Sequence, residues 1–138
     1  MLNVNLFNES GIKYLPKKKV SRLIERTLRN EGIREGDVNV VYFNDDDIES
    51  MNIHYLGHHY PTDVISFKLD EEPLLAEIYI GADVADRRKT DFKVTLSHEI
   101  ARYAVHGALH IAGYEDKTDT EKILMRKLEN KYLDLYYV

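Results

Sequence analysis

The chain has no cysteine and no tryptophan, and only three prolines and seven glycines among its 138 residues. Without cysteine there is no disulfide framework, no thiolate-bound zinc or iron–sulfur cluster and no thiol nucleophile, so a metal site has to be built from His, Asp and Glu. The scarcity of proline and glycine leaves no linker that would divide the chain, and nothing repeats at a fixed period, which excludes a solenoid. No run approaches the roughly 18 apolar residues of a membrane span, and the start MLNVNLFNES lacks the basic-then-apolar plan of a secretory signal. These absences predict a soluble cytoplasmic protein with no membrane partner. A positive charge excess is missing as well: 19 Lys+Arg stand against 24 Asp+Glu, a net charge of −5. Bulk charge therefore does not make this a nucleic-acid binder, although a local basic face remains compatible with it.

What is present, 43% hydrophobic and 31% charged residues, suits one domain over 1–138 with a single core. Val4 and Leu6 alternate with polar neighbours as in a strand. Pro16 opens a helix carrying Val20, Leu23, Ile24 and Leu28, and Gly32 ends it. The β-rich run Val38 to Phe43 precedes Asp45, Asp46 and Asp47, whose carboxylates suit the first turn of a helix with Ile48, Met51 and Tyr55. Two strands, Asp63 to Leu69 and Glu77 to Ile80, flank an acidic turn around Asp70, Glu71, Glu72 and Pro73 and are expected to pair antiparallel. A helix from about Thr90 to Ala112 is apolar on more than one side and is expected to be central, with Gly113 as its stop. A last helix from about Thr120 carries Ile123, Leu124, Leu128 and Tyr132 at core spacing and ends in an aromatic tail. The expected fold is α/β (α+β): a small mixed four-stranded sheet packed with helices, covered by the Pro16 helix and backed by the helix of His106.

His106 and His110 lie one turn apart on that helix, so both imidazoles can converge on one ion. Gly113 can fold the chain back, and Asp116 follows with a carboxylate, giving H-x-x-x-H-x-x-G-x-x-D. Two histidines at this spacing alone are commonly ordinary helix residues. The glycine turn and Asp116 turn the reading to a zincin-like metal helix with three ligands and an open position. Metzincin-like peptidases place a general-base glutamate directly after the first histidine, where this chain has Gly107. His98 and Glu99 start an H-E-x-x pattern, but Arg102 stands where a second ligand is needed. Glu99 is read as structural, and Arg102, one turn before His106, as a candidate to meet a phosphate.

The segment His106 to Asp116, HGALHIAGYED, resembles the H-G-x-L-H-x-x-G-Y-D-H signature of the YbeY family of metal-dependent endoribonucleases. Met51-Asn52, Tyr55 and Gly57 resemble its L-N-x-x-Y-R-G segment, Pro61 to Phe67 its P-T-D-V-L-S-F segment, and Ala76 to Ile80 its G-D-I-x-I strand. Two departures stand out: Asp116 occupies the place of the third histidine, and Leu56 that of an arginine which serves catalysis or substrate binding in the family. His58 and His59 follow Leu56 and would be partial substitutes or, more commonly, exposed loop histidines.

The resemblance implies one divalent ion, Zn²⁺ or another divalent metal, held by His106, His110 and Asp116 in a divergent form of the family. It implies a hydrolase that cleaves single-stranded RNA through metal-activated water, in maturation of the small-subunit rRNA 3′ end and in ribosome quality control. Partners would be ribosomal RNA or the small ribosomal subunit. Alternatives are a ribosome-associated protein whose metal only pins the Gly113 turn, and a metzincin-like peptidase, which Gly107 disfavours. Between Lys13 and Arg34 stand Lys17, Lys18, Lys19, Arg22, Arg26 and Arg29, opposed only by Glu25 and Glu31. Lys17, Lys18, Lys19 and Arg22 are therefore candidate RNA contacts, against the plainer reading of a solvated basic helix. Arg87, Arg88, Lys89 and Lys93 form a second cluster.

Overall fold

Val38, Val40 and Tyr42 are fully buried while the residues between them are not, as in a strand with one face on a core. In the computed structural model of the protein, which describes residues 1–138, they belong to β2 (Gly36–Phe43). With β1 (Leu2–Asn8), β3 (Val64–Glu71) and β4 (Leu74–Gly81) it forms a four-stranded sheet of order β1-β2-β4-β3. β1, β2 and β4 run parallel, and β3 pairs antiparallel with β4, Val64 opposite Ile80 and Phe67 opposite Glu77. The expected mixed sheet and the β3–β4 pairing are both present. The turn is shorter than expected, because Asp70 and Glu71 already pair with Leu75 and Leu74.

Helix α1 (Lys18–Asn30) buries Val20, Leu23, Ile24 and Leu28. Helix α2 (Asp45–Leu56) is capped by Asn44, whose side chain accepts from Asp47 N at 2.9 Å, with Asp45, Asp46 and Asp47 in its first turn. α1 agrees with the apolar spacing; of the residues expected on α2, Ile48 is buried, Met51 half-buried and Tyr55 exposed, with Asn52 buried in its place. The single helix expected from Thr90 is instead two, α3 (Ala82–Phe92) and α4 (Leu96–Ile111). Lys93 takes the left-handed conformation at φ 56° to end α3, and the Thr95 side chain accepts from His98 N to start α4. α3 has little apolar signal because it buries only Ala82, Val84 and Ala85.

α1 and α4 lie on the same face of the sheet and pack on each other, not on opposite faces as a covering and a backing helix would. Val40 pairs with Ile78 and Tyr42 with Ile80, so these side chains share that face. α1 is tied to it by the hydrogen bond from the Tyr42 hydroxyl to the Pro16 carbonyl. α4 approaches through Gly107: a Cβ there would stand 2.9 Å from Ile78 Cγ2 and 3.2 Å from Val64 Cγ2. From Glu99 to Ile111 every residue of α4 is buried except Arg102, His106 and His110. These three, each one turn from the next, form the single half-buried stripe of this part of the central helix.

α5 (Asp119–Leu133) packs along this stripe and leads into a 3₁₀ turn, Asp134–Tyr137. Its buried residues are Met125, Glu129, Tyr132 and Leu133, whereas Ile123 and Leu124 are 71% and 44% exposed. Of the four expected core residues Leu128 and Tyr132 do pack on the core, while Ile123 and Leu124 do not, since the buried Glu129 that takes part in this face is invisible to an apolar periodicity. Thr118 and Glu121 form a capping box at its start, a feature worth about 1 kcal/mol.

Candidate metal centre

His106, His110 and Asp116 offer one donor atom each, all within 4.8 Å of one another. His106 Nε2 lies 3.0 Å from His110 Nε2 and 3.2 Å from Asp116 Oδ2, which is 3.5 Å from His110 Nε2. Donors around a tetrahedral zinc at about 2.0–2.1 Å stand roughly 3.3–3.4 Å apart, so the triangle has the size such an ion requires. The helix supplies the two imidazoles and the turn after it supplies the carboxylate. Gly113, at φ 109°, allows that turn, with Tyr114 N donating to Leu109 O at 3.0 Å. Lys117 N and Thr118 N both donate to Glu121 Oε1, at 3.2 and 2.9 Å, which fixes the main chain just after Asp116. These main-chain donors hold the Glu121 carboxyl below its usual range.

The proton inventory gives the triangle its chemistry. His110 Nδ1 lies 2.9 Å from the carbonyl oxygen of Tyr114; a carbonyl has no proton to give, so Nδ1–H donates. His106 Nδ1 lies 2.6 Å from Glu129 Oε2, and an ionised carboxylate likewise only accepts. In their neutral forms both rings then present a bare Nε2 lone pair to the other and to the Asp116 carboxylate. Such a group is satisfied either by a proton on one Nε2 or by a cation between the three atoms, and a divalent ion fits that donor set. Burial by itself lowers the His106 pKa, but the hydrogen bond to Glu129 and the charges of Glu129, Asp116 and Asp63 outweigh it and raise the value. Burial likewise opposes ionisation of Glu129, yet His106 and Arg102 hold its carboxyl below the usual range.

The other candidates are placed elsewhere. Arg102 donates to Glu129 Oε1 at 2.9 Å and to Asn130 Oδ1 at 3.0 Å, so it braces α5. Glu99 is buried beside Tyr103 and away from the donor triangle; burial and that carboxylate push the Tyr103 phenol up. His58 and His59 are exposed, His58 stacking on Tyr60, and neither joins the group. Lys17, Lys18 and Arg22 line a groove with β1, on the sheet edge opposite β3, while Lys19 lies over the Tyr136 ring at 4.1 Å. Arg87, Arg88 and Lys89 pair with Asp45, Asp63 and Asp86. Beside His110 a cleft of about 350 Å³ runs between α4 and β3, with Leu56 and Phe67 in its wall and Lys68 as its one cation. Glu129 was missed by sequence reasoning. Its sequence trace is a lone glutamate one turn after Met125 and three residues before Tyr132, which carries no sign of a histidine on another helix.

The model of the family described as Endoribonuclease YbeY matches residues 5–137. A protein named Endoribonuclease YbeY from Chlorobium phaeobacteroides (strain BS1) is 34% identical over 133 residues, 96% of each chain. Its namesake from Chloroherpeton thalassium is 35% identical over 120 residues, 86% of this chain and 85% of the other. That of Bacillus subtilis (strain 168) is 31% identical over 150 aligned positions, covering 98% and 96%. A solution structure of a Thermotoga maritima protein superposes with a TM-score of 0.71 at 27% identity, over 97% of this chain and 89% of that one.

Proposed function

The chain belongs to the Endoribonuclease YbeY family, and from that premise we propose that it is a metal-dependent endoribonuclease of ribosomal RNA processing, with His106, His110 and Asp116 as the ligands of one Zn²⁺. The observation that carries the reading is the convergence of three donor atoms, all within 4.8 Å of one another, beside an open cleft. A divalent ion held there supplies activation of water and polarisation of a phosphoryl oxygen, the two needs of phosphodiester hydrolysis. The protein's own groups do the rest. His106 and His110 keep their protons on Nδ1, Asp116 contributes negative charge, and Lys68, otherwise paired with Glu71 at 3.2 Å, reaches a backbone phosphate in the cleft. The cleft is walled by an edge strand and suits a single-stranded segment more than a duplex. The setting is cytoplasmic, on small-subunit RNA; no helix is long and apolar enough to cross a membrane.

The two alternatives lose their footing. A peptidase needs its general base at 107, but a side chain there is driven into Ile78 and Val64. A metal that only pins the Gly113 turn is superfluous, because Gly113 N to His110 O and Tyr114 N to Leu109 O, both 3.0 Å, already close it. The test combines metal analysis of untagged protein with cleavage of single-stranded RNA by wild type and His110→Ala. Stoichiometric metal and cleavage are expected in the wild type, with both lost in the variant. Cleavage that persists in metal-free His110→Ala overturns the proposal.

A further inference from the structure

His110 and His106 are held in different ways. The acceptor for His110 Nδ1–H is a main-chain carbonyl four residues on, part of the same turn. The acceptor for His106 Nδ1–H is a side chain from another helix, 23 residues on in the chain. Glu129 is 5% exposed, so its charge is largely withdrawn from water and has to be met by the protein. Its two oxygens divide the work. Oε2 takes the His106 proton at 2.6 Å, and Oε1 takes Arg102 Nη1 at 2.9 Å and Arg126 Nη1 at 3.3 Å. Arg102 is fixed in turn by Asn130.

We propose that Glu129 is the positioning residue of the metal centre: its carboxylate keeps the His106 proton on Nδ1, and so delivers a bare Nε2 to the ion. This rests on the metal reading above. The arrangement also makes seating of α5 a condition of the site. His106 lies on α4, yet its tautomer and ring orientation are set by a residue that exists there only when α5 is docked.

The two arginines make the inference sharp, because they decide what Glu129→Gln does. The variant keeps the shape of the side chain, but only one of its terminal atoms is an acceptor. Arg102 and Arg126 can only donate, so the amide oxygen turns to them and the amide NH₂ faces His106 Nδ1. A donor at that place demands a lone pair on Nδ1 and moves the proton to Nε2, into the ligand position. A residue that merely packs α5 has no such effect.

Nitrogen-edited NMR of imidazole tautomers in the metal-free full chain, at a pH where both rings are neutral, reads this directly. Zn²⁺ titration against a competing chelator gives the consequence. Expected for wild type is Nδ1–H on both rings. Expected for Glu129→Gln is an Nε2–H tautomer at His106, an unchanged His110 as internal control of the fold, and Zn²⁺ affinity weaker by roughly 10–100-fold, the range for outer partners of ligating histidines. Unchanged His106 tautomer and unchanged affinity in the variant overturn the inference. Wild-type protein that has the Nδ1–H tautomers but binds no Zn²⁺ overturns the metal reading instead, so the two failures are distinguishable.

Discussion

At the β3 edge of the sheet a few polar groups are packed so tightly that each has one available role; at the β1 edge, three strands and roughly 14 Å away, Lys17, Lys18 and Arg22 stand exposed along a groove with only Glu25 among them. The first region has defined protons: His106, His110, Asp116 and Glu129 are tied by contacts of 2.6–3.5 Å. The second has charge without fixed geometry. Flexible, hydrated cations gain little from any single partner and attract an RNA backbone regardless of sequence. Half-buried donors held from two sides suit one ion in one place. The β3 edge is therefore the candidate for chemistry, and the β1 edge for attraction of a backbone.

The strongest way to break that contrast is to remove the carboxylate of the triangle. Asp116→Ala is expected to cost metal affinity more than the roughly 100-fold upper range of an outer-partner loss, with RNA cleavage falling in step, while Asp116→His retains the metal. Chelator-competed Zn²⁺ titration of both variants measures this. Unchanged affinity in Asp116→Ala would direct attention to Glu115 or Asp119.

An intermediate effect is expected from pH, because His106 and Glu129 hold each other's protonation away from the ordinary range. The folded-state pKa of His106 lies above its ordinary 6.5, so its pairing contributes stability fully below that value and loses it as pH rises through the raised one. Glu129 lies below its ordinary 4.5, so its contribution is present above 4.5 and is lost as pH falls through the lowered value. Metal-free protein should thus be steadied by this pair between about 4.5 and 6.5. Stabilisation by Zn²⁺ should increase as pH rises above that window, since the ion competes with protons for the imidazoles. Thermal melts with and without Zn²⁺, stepped in pH, check the opposite signs. Equal pH dependence in both forms would separate the histidines from the metal.

The smallest effect is expected at the other edge. Replacing Lys17, Lys18 and Arg22 together by Ala should leave metal content unchanged and raise KM a few-fold with little change in kcat. The salt slope of RNA binding should fall by no more than about 2, from roughly 0.7 per cation on a single strand. A loss of kcat as large as that of a ligand variant would erase the distinction between the edges.

Much of this was legible along the chain. His106, His110, Gly113 and Asp116 sit within one helix end and its turn, so local geometry, one turn of helix and one left-handed glycine, is enough to bring them together. The β3–β4 hairpin, α1 and α2 were readable for the same reason: apolar spacing, caps and turns act between neighbours. Two things depended on contacts between distant segments. The buried face of α5 is set by Glu129 reaching α4, so a charged residue takes the place where periodicity expects Ile123 or Leu124. Arg102, which the helix alone aims at a substrate, is claimed by Glu129 once α5 docks. The sequence by itself determined the candidate ligand set, because its members are local; only the tertiary structure decided which partners hold their ring protons, because a buried charge is satisfied by whatever the fold brings within hydrogen-bond reach.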